Sequence, residues 1–202
     1  MKQTLILVFL FAGMNIVNAQ FAENNAIYLS GEMGGGNYFN GDLNLNYVYK
    51  ENYSLKIGYS GNLRKARSQP DDYYSGLIKG VFMFGLANPK DQLDSYHISL
   101  GKIVNLNKSR NIRANLLFGV GYTTIIEPEN WKKVKGTIID GMLTDNYTWD
   151  YEKRHGISFI INPKIEFPIT RYWGLTVSPM VQFNKDRTYF GIGIGSMLGL
   201  LK

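Results

Sequence analysis

Apolar and polar residues alternate along several stretches of the chain, and the alternation is clearest in the last one, Thr188–Leu200. There Phe190, Ile192 and Ile194 share one face, whereas glycine occupies most positions of the other face. A period of two residues is the period of a β-strand. A face of glycines cannot fill a core, but a strand that is apolar outside and small inside suits the wall of a narrow membrane barrel. The pattern therefore predicts a strand with one lipid-facing side.

The same alternation predicts seven strands before this one. In chain order the eight predicted strands are residues 26–36, 41–49, 53–64, 94–106, 111–125, 156–167, 173–183 and 188–200. Pro163 and Pro179 fall inside two of them, and because proline lacks the N–H that a strand ladder needs, we assign both to β-bulges. The predicted fold class is all-β, an eight-stranded antiparallel up-and-down transmembrane β-barrel.

The lengths of the connections support this fold and predict its orientation. Short turns follow strands two, four and six, whereas two long segments, residues 65–93 and 127–153, follow strands three and five. Outer-membrane barrels have short periplasmic turns and long extracellular loops, so both long segments are expected outside the cell. Aromatic residues are expected in two girdles at the membrane interfaces. The inner girdle would contain Tyr49, Tyr53, Phe167, Tyr172 and Trp173, and the outer girdle Tyr38, Tyr96, Tyr122 and Phe183.

The two long segments leave an alternative open. Apolar residues between positions 77 and 82 recur at helical spacing before Asn88-Pro89, which predicts a short amphipathic helix or an extended hairpin near the barrel rim. If residues 77–86 and 134–143 formed strands in the wall instead, the barrel would have ten strands.

The N-terminus predicts export. An early lysine, an apolar run over residues 5–12 and small residues before position 20 match the three regions of a signal peptide. Cleavage after Ala19 would divide the chain into a signal peptide, residues 1–19, and an outer-membrane β-barrel domain, residues 20–202. The predicted location is the cell outer membrane, which the domain would cross several times as a multi-pass barrel.

Composition removes several classes of function. The 202 residues carry a formal charge of +6 and contain no cysteine, which excludes disulfides, zinc–thiolate centres and thiol nucleophiles. The basic excess suits anionic lipid headgroups, and it lacks the aromatic-interleaved basic motif expected of a nucleic-acid partner. No fixed ligand spacing such as that of an EF-hand loop occurs in the sequence. We therefore predict neither a metal nor another cofactor.

Three features resemble those of a known family. They are the end of the signal, Asn18-Ala19-Gln20, the hairpin sequence INPKIEFPITRYWGLTVSPMVQF and the glycine-alternating last strand. The chain resembles the small outer-membrane β-barrel proteins of Bacteroidota, of the PorT type, which are similar in shape to the OmpX and OmpA barrels. The resemblance covers the mature chain and implies assembly by the outer-membrane insertion machinery. Terminal strands of such barrels often end in an aromatic residue, whereas this chain ends in Leu201-Lys202.

The inward faces of the predicted strands carry a set of ionisable residues. An eight-stranded barrel has an interior just wide enough for side chains, and buried charges there must be paired. We therefore predict an ionic network that fills the lumen; the alternative is a narrow conduit for small solutes. The predicted members are Glu32, Asp42, Lys56, Arg64, His97, Arg113, Lys164 and Glu166. Four of them are predicted to fill the space beside the glycine face of the last strand, namely Lys56, Arg113, Lys164 and Glu166.

A catalytic alternative rests on the two histidines of the chain. His97 and Ser99 share one face in an H-x-S arrangement that resembles that of the lipid A deacylase barrels, where the hydroxyl is the nucleophile and the histidine its base. Glu166 or Glu32 would have to orient that base, and the alternation directs the pair inward, away from lipid. His155 lies near acidic residues, as an acid–histidine protease at a barrel mouth would require. We predict that the chain is not an enzyme.

Aromatic residues on the long segments are candidate recognition residues, because amphipathic aromatic side chains on exposed loops are common at binding surfaces. They are Tyr73, Tyr74, Trp131, Tyr147, Trp149 and Tyr151. The sequence thus predicts a non-catalytic outer-membrane barrel that acts through its extracellular loops or its wall. It would contact outer-membrane lipid and serve as a binding module or as an accessory subunit of a larger outer-membrane protein complex. The alternative from another class is an enzyme that modifies lipid A or phospholipid.

Overall fold

Eight strands make up the regular structure of the chain. The computed structural model describes residues 25–76, 88–134 and 144–201. The strands are β1 (Ala26–Gly36), β2 (Phe39–Tyr49), β3 (Tyr53–Lys65), β4 (Lys90–Asn105), β5 (Arg113–Lys133), β6 (Tyr147–Pro168), β7 (Trp173–Phe183) and β8 (Thr188–Leu200). Within these ranges no helix is long and apolar enough to cross a bilayer.

The strands form a closed antiparallel barrel. Each strand pairs with its neighbour in the chain, and β1 pairs with β8 from Ile27↔Leu200 to Gly36↔Gly191. Closure satisfies the backbone groups that would otherwise be exposed at the two sheet edges, which a bilayer requires because its core offers no hydrogen-bond partners. The predicted fold class, an eight-stranded antiparallel barrel, is confirmed.

Closure also decides the number of strands in the wall. β3 pairs directly with β4, and β5 pairs directly with β6, so neither long segment can insert a strand between them. The ten-strand alternative is therefore wrong. The helix or hairpin predicted between positions 77 and 87 lies outside the described residues, and so does nearly all of the 134–143 segment.

The wall has an apolar outside and a polar inside. On β1, Tyr28, Ser30 and Glu32 are buried, whereas Leu29 and Met33 are more than half exposed. The other transmembrane-length strands repeat this alternation, so large aliphatic and aromatic side chains cover the outer surface. A soluble protein places such residues inside. The inverted arrangement is that of a barrel wall whose outer surface faces lipid.

Three strands extend at one end by four residues or more beyond their predicted bounds. β4 begins at Lys90, β5 continues to Lys133, and β6 begins at Tyr147. The apolar–polar alternation fades above the barrel because neither face of the sheet has to meet lipid there, but backbone pairing continues from Ile126↔Lys153 to Lys133↔Tyr147. The register shifts between Glu129 and Lys132, which is a β-bulge or a related irregularity. Much of the segment predicted as a charged loop is therefore a two-stranded extension of the wall.

Pro163 and Pro179 interrupt the ladder between β6 and β7 without the predicted bulges. The pairs on both sides, Ile161↔Val181 and Ile165↔Val177, keep one register, so the two prolines lie opposite each other. Because neither proline has an N–H, this pair cannot exchange ladder hydrogen bonds. The bulge assignment is wrong: the chain loses pairing locally and gains no extra residue.

The aromatic residues of the two predicted girdles have different outcomes. Tyr49, Tyr53, Tyr172 and Trp173 are exposed beside the short turns, and Tyr96 and Tyr122 are exposed near the opposite end of the barrel. Tyr38 was assigned to the outer girdle, and this is wrong. It faces inward and is buried, with the guanidinium of Arg64 over its ring at 4.3 Å.

Candidate functional site

Two apolar layers close the lumen near its ends. The layer beside the short turns consists of Ala26, Tyr28, Val48, Ile103, Met197 and Leu201, and the layer beside the long segments consists of Tyr38, Leu93, Ile125, Ile160, Met180 and Tyr189. All twelve side chains are buried. Polar side chains occupy the space between the two layers, so the lumen is filled by the chain itself, as expected for an eight-stranded barrel.

The middle of the lumen carries charges of both signs. Lys164 forms an ion pair with Glu32, and both side chains are only 2% exposed. Lys56 donates instead to the amide oxygen of Asn162, at 2.7 Å. Asp42 lies in the same region, and one of its carboxylate oxygens has no hydrogen-bond partner among the described residues. Two buried anions therefore share this layer with two buried cations, which balances the formal charge.

A second ionic group lies closer to the short turns. Arg113 donates from Nε to Glu166 Oε2 at 2.6 Å, and Tyr28 donates its hydroxyl to Glu166 Oε1 at 2.8 Å. Asn115 also donates to Oε1, at 3.0 Å. Glu166 thus accepts three hydrogen bonds, two from β5 and one from β1, and these bonds compensate for the removal of its charge from water.

The third ionic group lies at the opposite end of the barrel, beyond the apolar layer that is beside the long segments. Arg64 contacts Asp91 at 2.7 Å, and Glu127 accepts hydrogen bonds from Arg154 and Arg187. Asp91 is absent from the predicted network because it lies in the long segment 65–93, which the predicted strands leave out. Glu127 is absent from it as well, because it is the first residue of the long segment 127–153. Asp91 and Leu93 are two residues apart on β4 and both face inward, and this spacing identifies Asp91 as a lumen residue.

The glycine face of β8 meets β1 more closely than predicted. A side chain added at Gly195 would collide with the backbone of Gly31 and the side chain of Glu32. At Gly199, where φ is +141°, the nearest side chain is that of Tyr28. At these two positions the nearest side chains are Glu32 and Tyr28 of β1, which contact Lys164 and Glu166, two of the four residues predicted to fill this space. The glycines permit this close approach of two paired strands.

The residues considered for catalysis lie in two places, inside the lumen and on the outer surface of the wall. His97 and Ser99 both face the lumen and are buried, and His97 Nε2 lies 3.0 Å from the amide oxygen of Asn44. His155 faces outward, where Nδ1 lies 3.1 Å from Thr124 Oγ1 and the ring stacks on Tyr122. Over the described part of the chain, no group of three or more metal-ligating side chains occurs.

Four of the six predicted recognition residues come together above the barrel. We call Tyr73, Trp131, Tyr147 and Trp149 the outer aromatic cluster. The rings of Trp131 and Trp149 lie 5.2 Å apart between centroids, and Tyr73 packs edge-on against Trp131 at 5.6 Å. Tyr147 contacts Trp131 at 6.2 Å. Tyr74 and Tyr151 are about half exposed and share no ring contact with the cluster in the described structure.

Polar contacts hold this cluster in place. Asp72 accepts hydrogen bonds from Lys133 Nζ at 2.6 Å and from the Tyr147 hydroxyl at 2.7 Å. Asn146 joins the loop after β3 to the β5–β6 extension, because its amide accepts from the backbone of Tyr74 and donates to the carbonyl of Asp72. The loop and the extension therefore present one surface.

The pKa values of two side chains reflect this packing. The hydrogen bond from Lys133, followed by that from Tyr147, lowers the pKa of Asp72 from its ordinary value of 3.8. Burial, with a smaller effect of Asp145, raises the pKa of Tyr73 to about 12. At neutral pH the surface thus presents an ionised Asp72 and a protonated Tyr73 hydroxyl.

Comparison with known proteins shows likeness in structure only. No protein-family model matches the chain, and no curated protein matches its sequence. The structure of Ail from Yersinia pestis superposes with a TM-score of 0.47 at 9% identity, over 87% of this chain and 96% of Ail. The N-terminal β-barrel domain of Pseudomonas aeruginosa OprF gives 0.47 at 10% identity, over 88% and 98%. Neisserial surface protein A gives 0.46 at 8%, over 86% and 94%. The chain is thus similar to small outer-membrane barrels, and its fold assignment rests on the strand pairing described above.

Proposed function

We propose that this chain is an integral outer-membrane protein that binds a partner through the part of the barrel outside the cell. The lipid-facing surface of β1 to β8 supports membrane insertion, because exposed aliphatic side chains such as Leu100 and Met33 have no favourable place in water. The predicted signal peptide, the orientation with long segments outside, and the relation to the small Bacteroidota barrels belong to the same proposal.

The outer aromatic cluster is the observation that carries the binding role. Tryptophan and tyrosine are the residues that most often dominate binding energy, and they do so when packing holds them in place. Here Trp131, Tyr147 and Trp149 are half-buried, so their rings are positioned before any partner arrives. A cavity of about 440 Å³ adjoins Tyr147 and Trp149 and offers space for a side chain of the partner.

The filled lumen supports a function that does not include transport. The positions of the histidines support a function that does not include catalysis. Both apolar layers and the three ionic groups lie across any path through the barrel. Ser99 is enclosed by the wall, where an acyl chain of a membrane lipid does not reach it. A Ser99→Ala variant is expected to leave the lipid A and phospholipid profiles of the host membrane unchanged, whereas loss of a modified lipid would establish the enzyme.

Capture of partners from isolated outer membranes tests the proposal. The full-length chain carrying Trp131→Ala and Trp149→Ala should lose the proteins that the unmodified chain retains after cross-linking. Tyr172→Ala, an exposed aromatic residue beside a short turn, is the matched control and should retain them.

Two outcomes would contradict a binding surface at the cluster. If the cluster variant retains the same partners, the binding surface lies on the barrel wall, as in an accessory subunit. If the unmodified chain is isolated alone, the binding role itself fails.

A further inference from the structure

The last residue pair of the β3–β4 ladder places two lysines opposite each other. Lys65 pairs with Lys90, and both side chains belong to the outward-facing rows of their strands. Like charges directly across an antiparallel pair destabilise it. Neither lysine has an ion pair or a side-chain hydrogen bond with any residue that the structure describes. This contrasts with Lys133 and Lys164, each of which has a carboxylate partner.

A cavity of about 530 Å³ lies against this lysine pair. Its described lining contains no carboxylate. Besides the two lysines, it includes Gln69, Tyr73, Tyr74 and Ser75. Two cations without counter-charge beside hydroxyl and amide groups form an anion-binding environment, because each lysine can donate a charge-assisted hydrogen bond to an oxyanion.

The size of the cavity indicates more than a lone inorganic anion. Volumes of 300–1,000 Å³ are typical of pockets that enclose ligands of many atoms. The neutral groups of Gln69 and Ser75 can donate and accept hydrogen bonds, and the rings of Tyr73 and Tyr74 add apolar surface. Hydroxyl-rich rings match such a lining, and the two lysines require a strongly anionic substituent on them.

The height of the pair above the lipid-facing surface agrees with this chemistry. Tyr59 and Tyr96 pair in the same two strands, with rings 5.2 Å apart on the outer surface, where aromatic side chains mark the membrane interface. Lys65 lies six residues farther along β3 than Tyr59, which is about 20 Å of strand and, for a strand tilted by about 40°, about 15 Å of height. The cavity thus lies beyond the acyl region, at the level of carbohydrate headgroups.

We propose that Lys65 and Lys90 bind the phosphate of a phosphorylated saccharide in this cavity. The phosphate lies between the two ammonium groups and removes their repulsion, and Gln69 and Ser75 contact the sugar. The same chemistry is present in the headgroup of a phosphorylated glycolipid of the outer leaflet and in a soluble sugar phosphate. The proposal does not depend on the outer aromatic cluster binding a protein, although Tyr73 borders both sites.

Titration of the purified full-length chain tests the proposal. Glucosamine 1-phosphate is the soluble probe, with the protein in detergent micelles, and nanodiscs with or without a phosphorylated glycolipid provide the membrane source. The variant Lys65→Gln/Lys90→Gln removes both charges and keeps a polar side chain at each position. Its affinity should fall roughly a hundredfold, since two charge-assisted hydrogen bonds are lost. Lys65→Arg/Lys90→Arg should retain binding.

Controls separate this site from general charge attraction. Lys102→Gln/Lys108→Gln makes the same change in net charge beside a short turn and should bind like the unmodified chain. Thermal unfolding supplies a second readout: the probe should raise the midpoint of the unmodified chain and leave that of Lys65→Gln/Lys90→Gln unchanged. Trp131→Ala/Trp149→Ala should keep phosphate binding, so the proposed protein-binding role can fail independently.

The outcomes assign the source or overturn the site. Binding of the soluble probe supports a sugar phosphate ligand, and binding only to nanodiscs that contain phosphorylated glycolipid supports a lipid headgroup. The proposal is overturned if neither probe binds, or if Lys65→Gln/Lys90→Gln binds as tightly as the unmodified chain.

Discussion

At the scale of single residues, the barrel interior is governed by the cost of burying charge. A buried carboxylate or ammonium group needs partners that replace water. Glu166 obtains three donors, and Glu32 obtains Lys164. The contacts of Tyr28 with Glu166 and of Glu32 with Lys164 join β1 to β6, which are not neighbours in the wall, so these two contacts also fix how distant strands lie across the lumen.

Removal of one partner of the central ion pair should therefore be costly. Lys164→Ala leaves Glu32 buried without its cation, and the free energy of unfolding should fall by about 3–5 kcal/mol. Urea unfolding in lipid vesicles measures the loss. The double variant Lys164→Met/Glu32→Gln removes both charges and should recover most of the stability. If the free energy of unfolding of Lys164→Ala lies within about 1 kcal/mol of that of the unmodified chain, the ion pair is not needed for stability.

The contact between Asp72 and Lys133 predicts a pH dependence of the outer surface. The pKa of Asp72 is lowered in the folded chain, so its contribution is present above the unfolded value of 3.8 and is lost as the pH falls through the lowered pKa. Carboxyl ¹³C shifts of Asp72 should follow this titration. Lys133→Gln should return the pKa towards its ordinary value, and an unchanged pKa in that variant would disprove the assigned cause.

At the scale of elements, the β6–β7 pair differs from the other pairs of the wall. The register of β6 and β7 is continuous, but residues 162–164 and 178–180 are left out of the ladder. The side chain of Asn162 partly compensates, because it donates to the carbonyl of Pro179 at 2.7 Å and to the hydroxyl of Ser178 at 2.7 Å. A side chain thus replaces a backbone donor that proline cannot supply.

Restoring the two backbone donors should strengthen this seam. Pro163→Val/Pro179→Val supplies two N–H groups that face an existing acceptor strand, and the free energy of unfolding should rise by about 1–2 kcal/mol. Hydrogen exchange of the amides in residues 162–164 should slow in parallel. If stability falls instead, the prolines fit a local backbone shape that valine cannot adopt.

At the scale of the whole molecule, two apolar layers separated by ionic groups make the barrel a filled cylinder. Planar bilayers containing the purified chain should therefore show the conductance of the protein-free bilayer. Removal of large side chains from both layers, with Tyr28→Ala, Met197→Ala, Tyr38→Ala and Tyr189→Ala, should open a measurable path because these side chains are among the most buried in the lumen. Ion flow through the unmodified chain would favour a conduit.

The sequence by itself determined the wall. Alternation in Ala26–Gly36, Trp173–Phe183 and Thr188–Leu200 predicted these strands with the bounds that the structure has, because a strand between lipid and a polar lumen must change polarity at every residue. The short turns left little freedom for pairing, so neighbours in the chain became neighbours in the barrel. The same physics explains why the predicted bounds of β5 and β6 were too short. Both strands continue above the membrane, where no lipid enforces the alternation.

Only the tertiary structure decided which residues meet. Inward parity identified Lys164 and Arg113 as lumen residues, but it did not give their partners. Glu166 meets Arg113 through the register of β5 and β6, and Glu32 meets Lys164 across the closed barrel. Parity could not show that Asp91 pairs with Arg64, that Pro163 lies opposite Pro179, or that Lys65 faces Lys90. Sequence order fixes which face a side chain takes, because that depends on local backbone geometry, whereas contacts across the lumen depend on closure, which is a property of all eight strands together.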